Sequence, residues 1–115
     1  MQKDILFLLK PGFRDPAFPE QDFYCWHCAL MEGVLASFPE HRPALDVRRI
    51  AFPRPRGDVA ALIGEANQSL PVLVLAEGAP ALLSAASFNG RQFVNEPMAI
   101  LDLLHTRHGY PRAHP

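Results

Sequence analysis

The sequence predicts a single α/β domain, a three-layer sandwich of order βαβαββα around a mixed four-stranded sheet. Three observations carry that expectation. A chain of 115 residues has the length of one domain and can bury one core without a metal or disulfide framework. Short continuous apolar runs alternate with stretches of helical spacing, the pattern of strand–helix–strand units. The dipeptide Asn89-Gly90 marks a hairpin late in the chain, so the sheet mixes parallel and antiparallel neighbours. The expected domain covers residues 1–110, with 111–115 as a loose tail.

The elements follow in order. Ile5-Leu6-Phe7-Leu8-Leu9 is an apolar run closed by Lys10-Pro11-Gly12, which reads as a strand buried on both faces. Residues 11–24 hold three prolines and the aromatics Phe13, Phe18, Phe23 and Tyr24; they form a loop long enough to have a role. Across residues 25–38, Cys28, Met31, Leu35 and Phe38 recur at helical spacing, and Pro39 stops the helix. Residues 45–50 read as a second strand. Residues 58–65, with Val59, Leu62 and Ile63 apolar, read as a helix. Leu70-Pro71-Val72-Leu73-Val74-Leu75 reads as a third, fully buried strand. A fourth strand is expected over 91–94, paired near 82–85. Pro97 suits the first turn of a last helix that carries Met98, Ile100, Leu101 and Leu104 and stops at Gly109.

Composition excludes several classes. Hydrophobic residues are 49% and charged residues 20% of the chain, and 11 basic side chains against 12 acidic ones give a formal charge of −1. A globally basic nucleic-acid binder is excluded by that balance. No apolar run approaches a membrane span, and the opening run is too short for a signal peptide, so a cytoplasmic home is expected. Two cysteines are too few for a disulfide scaffold.

Those two cysteines form the motif Cys25-Trp26-His27-Cys28. Positions i and i+3 share a helix face, so the sulfurs can approach each other. A helix N-terminus offers free N–H groups and positive dipole character, both of which favour a thiolate at Cys25. His27 would tune it when protonated, and Trp26 is a docking or packing aromatic. A staple closing so short a loop contributes little. A closed zinc site needs four ligands, for which His41, His105 and His108 are the remaining candidates. Arg48, Arg49, Arg54 and Arg56 cluster around Pro53 and Pro55; they could hold carboxylates of a ligand or simply be solvated. The aromatic loop could cover the cysteines or pack as a satellite core.

The Cys25-Trp26-His27-Cys28 motif opening the first helix, with Leu70-Pro71 opening the third strand, resembles the thioredoxin superfamily. Leu70-Pro71-Val72-Leu73 and then Glu96-Pro97-Met98-Ala99-Ile100-Leu101 resemble the N-terminal domain of glutathione transferases. Over nearly its full length the chain is similar to a bacterial thioredoxin-like family of unknown function. The resemblance implies a thioredoxin-like fold, with Cys25 as nucleophile and Cys28 as resolving cysteine. It implies a cis Pro71, with the Leu70 backbone facing the substrate, and an acidic Glu96 that helps to hold the γ-glutamyl group of glutathione. Departures are Pro97 in place of a serine, a longer loop before Cys25, and no proline inside the motif.

The expected function is thus a thiol–disulfide oxidoreductase acting through Cys25 and Cys28, tuned by Trp26 and His27. Leu70, Pro71, Glu96 and Arg56 are its expected substrate-binding residues. Its partners would be a protein disulfide or glutathione, with no nucleic acid and no membrane. Two alternatives stay open: a thioredoxin-like binding or adaptor domain without turnover, and a metal- or iron–sulfur-binding variant.

Overall fold

A computed structural model of the chain describes residues 2–115. The seven strands are β1 (Asp4–Leu9), β2 (Phe13–Arg14), β3 (Asp22–Phe23), β4 (Leu45–Ile50), β5 (Val72–Val74), β6 (Ala86–Phe88) and β7 (Arg91–Val94). The three α-helices are α1 (Trp26–Ser37), α2 (Gly57–Ile63) and α3 (Pro97–His108), with a 3-10 helix over Pro39–Ala44. The main sheet is mixed and five-stranded, in the order β4-β1-β5-β7-β6. Only the β1–β4 pair is parallel.

The interior position of β1, between β4 and β5, explains its unbroken apolar run, because all six of its residues are buried. From Ile5 to Leu8 its side chains alternate between two cores, and Leu9 joins the larger one. Leu6 and Leu8 point into the larger one, with Met31 and Leu35 of α1, Leu73 of β5, and Ile100 and Leu104 of α3. Ile5 and Phe7 point into the smaller one, with Val59 and Ile63 of α2, Val72, Val74 and Phe93. Helices therefore cover both faces of the sheet, α1 and α3 on one side and the short α2 on the other.

The sequence expectation of four strands is corrected to five. The hairpin partner of β7 is β6, not residues 82–85. Phe88 pairs with Arg91 across the two-residue turn Asn89-Gly90, and both turn residues have positive φ, +47° and +80°. So tight a turn places the partner strand directly beside it. A pairing at 82–85 would need a longer loop. All three residues of β6 are exposed, so no alternation announces it. Gly64, at φ +91°, ends α2 against the Phe88 ring, where a Cβ would lie 2.9 Å from the nearest ring carbon. Strand β5 begins at Val72, two residues later than expected, because Pro71 has no N–H to give the ladder.

The long loop before α1 is also more ordered than expected. Its β2 and β3 form an antiparallel ribbon, tied by an Arg14–Asp22 ion pair. Phe13 stacks on Phe52 at 4.4 Å between ring centroids, and Phe18 meets Phe23 edge-on at 5.8 Å. Phe13 and Phe52 pack against the main core, whereas Phe18 is exposed. Helix α3 has the predicted bounds and stops at Gly109, after which Tyr110 is buried against the ring of Phe38. Among the described residues, no helix is long and apolar enough to cross a membrane.

Candidate functional site

Cys25 lies just before α1. Its backbone is extended, φ −77° and ψ +113°, and its sulfur accepts the Cys28 N–H at 3.1 Å. The thiol takes the N-cap place that Ser or Asp usually fills. It therefore meets the helix N–H groups directly, at the positive end of the dipole. Cys25 is half-buried, and its Sγ lies 3.9 Å from the Leu70 carbonyl oxygen. The Leu70–Pro71 bond is cis, the state that the resemblance implies.

Cys28 sits one turn along the same helix and is only 2% exposed. The Leu9 N–H, at the end of β1, donates to its sulfur at 3.4 Å. Burial first, and then the hydrogen bond with Cys25, push the Cys28 thiol up to about 12. The pair thus combines a reachable sulfur that receives an N–H with a sulfur held neutral in the core. Both cysteines are free.

A cleft of about 550 Å³ opens beside them, lined by Leu9, Phe23, Tyr24, Cys25, Cys28 and Glu32 among others. Its charged groups are already paired. Asp22 is bound by Arg14, and Glu32 by Arg49 at 2.7 Å. The cleft is consequently apolar in character. Tyr24 and Trp26 flank the first cysteine and are 65% and 68% exposed. The His27 ring lies against Trp26, 3.6 Å between centroids. A larger cleft of about 790 Å³ lies at the far end of β1, lined by Lys3, Arg42, Arg48 and Asp58 among others, and contains neither cysteine.

The structure brings together Cys25, Cys28, Trp26, His27 and Leu70, with Pro71 next in chain. It treats Glu96 and Arg56 differently. Glu96 caps α3, its carboxylate accepting the Ala99 N–H at 2.8 Å. Arg56 is 6% exposed, and its guanidinium is engaged by the Phe52 and Gln68 carbonyls. The guanidinium is thus turned inward, onto backbone carbonyls. Arg48 and Arg49 of the same cluster pair with Asp46 and Glu32.

The histidines weighed as metal ligands are dispersed. His105 meets the Tyr110 carbonyl and His108 the Asp4 carboxylate, while His41 lies beside Glu40. Among the described residues, no three His, Cys, Asp or Glu side chains gather as metal ligands would. Asp4 escaped the sequence reading. It is buried and bonded to Arg107, His108 and the Ala76 N–H, all within 2.8 Å. Burial alone would raise its pKa, but the bonds from His108, Arg107 and Ala76 outweigh it and hold the carboxyl well below the usual carboxylate range. An aspartate opening an apolar run was the one available signal.

Comparison with curated proteins and with solved structures finds no match. A family described as "Protein of unknown function (DUF3088)" matches residues 3–112, a span that includes β1, the cysteine pair, the Leu70-Pro71 turn and α3. The chain belongs to that family.

Proposed function

We propose that the chain is a thiol–disulfide oxidoreductase of thioredoxin-like fold, with Cys25 as nucleophile and Cys28 as resolving thiol. One observation carries the reading: a half-buried sulfur caps a helix N-terminus three residues before a buried one. The element order supports the fold half of the proposal. An interior β1 is flanked by a parallel and an antiparallel neighbour, with α1 and α3 on one face and α2 on the other. The Leu70 carbonyl beside Cys25 supports the site half.

The proposed chemistry balances as follows. The Cys25 thiolate attacks one sulfur of a substrate disulfide, a new S–S bond forms to Cys25, and the other substrate sulfur leaves as a thiolate. Cys28 then attacks the Cys25 sulfur, its proton passes to the departing substrate sulfur, and a Cys25–Cys28 disulfide remains. Two electrons have moved from the pair to the substrate. Two molecules of an external thiol such as glutathione return them and leave joined as a disulfide. A dithiol that cycles in this way needs a reducing compartment, so a cytoplasmic setting belongs to the same proposal. The apolar cleft and the exposed Tyr24 and Trp26 suit a protein disulfide flanked by apolar side chains.

Reduction of insulin and of a glutathione mixed disulfide tests the reading, with Cys25→Ser and Cys28→Ser beside the parent. Activity in the parent that vanishes in Cys25→Ser is the expected result. No activity in any form contradicts it. In that case the exposed Trp26 and Tyr24 favour a binding domain whose cysteines do not turn over.

A further inference from the structure

The α2 face of the sheet is only partly roofed. Helix α2 has seven residues, about 10 Å of helix, and its Val59 and Ile63 pack with Phe7, Val72 and Phe93. The face continues beyond it. Ile5 pairs with Asp46 on one side and Val74 on the other, and Val74 pairs with Phe93, so these side chains share one face. Two residues before Ile5 and two before Phe93, hence on the same face, stand Lys3 and Arg91. The cleft of about 790 Å³ lies over this end, and Lys3, Ile5, Asp46 and Arg91 all line it.

Arg91 is the group in that wall whose bonding is incomplete. Its side chain is only 10% exposed. Nε donates to the Leu75 carbonyl at 3.0 Å. Nη1 stands 3.8 Å from the exposed Glu77 carboxylate, beyond hydrogen-bond reach. Nη2 is buried and has no hydrogen-bond partner. Buried donors are nearly always paired, so an orphaned guanidinium nitrogen in a cleft wall calls for an acceptor.

The rest of the lining has the same sign. Arg42 donates from Nη1 to the Leu45 carbonyl at 3.2 Å. Neither Arg42 nor Lys3 forms an ion pair among the described residues. Arg48 is held by Asp46 at 2.8 Å, and Asp58 is the other carboxylate of the cleft. Four cations thus face two carboxylates, while Ile5, Ala61 and Leu62 supply apolar contact.

We propose that this cleft binds a small phosphate monoester with an apolar body. A carboxylate brings one charge and two oxygens. A phosphate monoester brings nearly two charges at pH 7 and three acceptor oxygens. That suits an excess of two cations drawn from three places: Lys3 ahead of β1, Arg42 in the 3-10 helix and Arg91 in β7. The apolar body lies against Ile5 and Leu62. The cysteines line a different cleft, so the inference stands independently of the oxidoreductase reading.

The test is an NMR titration of the isotope-labelled chain with phenyl phosphate, with phenol and inorganic phosphate beside it. Phenyl phosphate should saturate one site, with amide shifts gathered at Lys3, Arg42, Ala61 and Arg91 rather than at Cys25 and Cys28. Phenol and inorganic phosphate, each lacking half of the ligand, should bind at least about tenfold more weakly, as should phenyl phosphate to Arg91→Gln, which loses a charged donor. No saturable binding of phenyl phosphate, or shifts confined to the cysteine helix, overturns the inference. So does phenol or inorganic phosphate binding as tightly as the ester, or a folded Arg91→Gln that binds as the parent does. Should Arg91→Gln not fold, Lys3→Glu reverses a charge at an exposed position. It should weaken binding of phenyl phosphate at least as much, and unchanged affinity there overturns the inference equally.

Discussion

Strand β1 holds an aspartate at its first residue and abuts a cysteine at its last. The Asp4 side chain is 1% exposed and is met by Arg107 at 2.7 Å, His108 at 2.7 Å and the Ala76 N–H at 2.8 Å. About 17 Å along the strand, the Leu9 N–H finds only the polarisable Cys28 sulfur, at 3.4 Å, and the next sulfur, Cys25, borders an apolar cleft. Asp4 belongs to a closed network, which resists change because every member is satisfied. The cysteine end is left open, with a weak acceptor, a half-buried thiol and exposed aromatics. Polar groups are saturated at the aspartate end and left open at the cysteine end, where the proposed exchange would take place.

The comparison can be broken at either end. The largest effect is expected at the open end: Cys25→Ser should abolish disulfide reduction while moving the urea midpoint little, since a hydroxyl serves as an N-cap as well as a sulfur does. A melted Cys25→Ser would show that this end also carries the fold. At the closed end, Asp4→Asn should cost about 3–5 kcal/mol in urea unfolding, as loss of one partner from a buried ion pair does, and should leave the turnover of folded protein unchanged.

The same carboxylate fixes a pH dependence. Its folded pKa is depressed, so its contribution is fully present above the unfolded value, about 4, and is lost as pH falls below it towards the folded value. Acid titration of stability should therefore steepen below about pH 4 in the parent and flatten in Asp4→Asn. Cys28 is shifted the other way, up to about 12. Alkylation near pH 8 should label Cys25 and spare Cys28 until the protein unfolds, as mass spectrometry of the peptides would show. The smallest effect is a third control: Glu96→Ala removes the α3 cap and should cost about 1 kcal/mol, without touching the alkylation pattern.

Much of the architecture was legible because it rests on local rules. The apolar run of β1 declared a strand buried on both faces. Pro97 and Gly109 bracketed α3, and Asn89-Gly90 located the hairpin turn. The cysteine spacing declared its own helix start. What was not legible depends on distant or solvent-facing partners. Asp4 meets Arg107 and His108 more than 100 residues away, and nothing beside it in sequence announces that. Arg56 lies in an arginine- and proline-rich stretch that reads either as ligand-binding or as solvated, yet its side chain is buried on the Phe52 and Gln68 carbonyls. Strand β6 is exposed throughout and so carries no alternation. Strands β2 and β3 have two residues each, too few for any period to show.

Trapping the covalent intermediate tests the central claim most directly. Cys28→Ser, incubated with oxidised glutathione or a disulfide-bonded peptide and digested without reductant, should carry the adduct on Cys25, and the parent under the same conditions should pass to a Cys25–Cys28 disulfide. A Cys28→Ser protein that stays unmodified at Cys25, or a Cys25→Ser protein that takes up the adduct on Cys28 instead, would contradict the account.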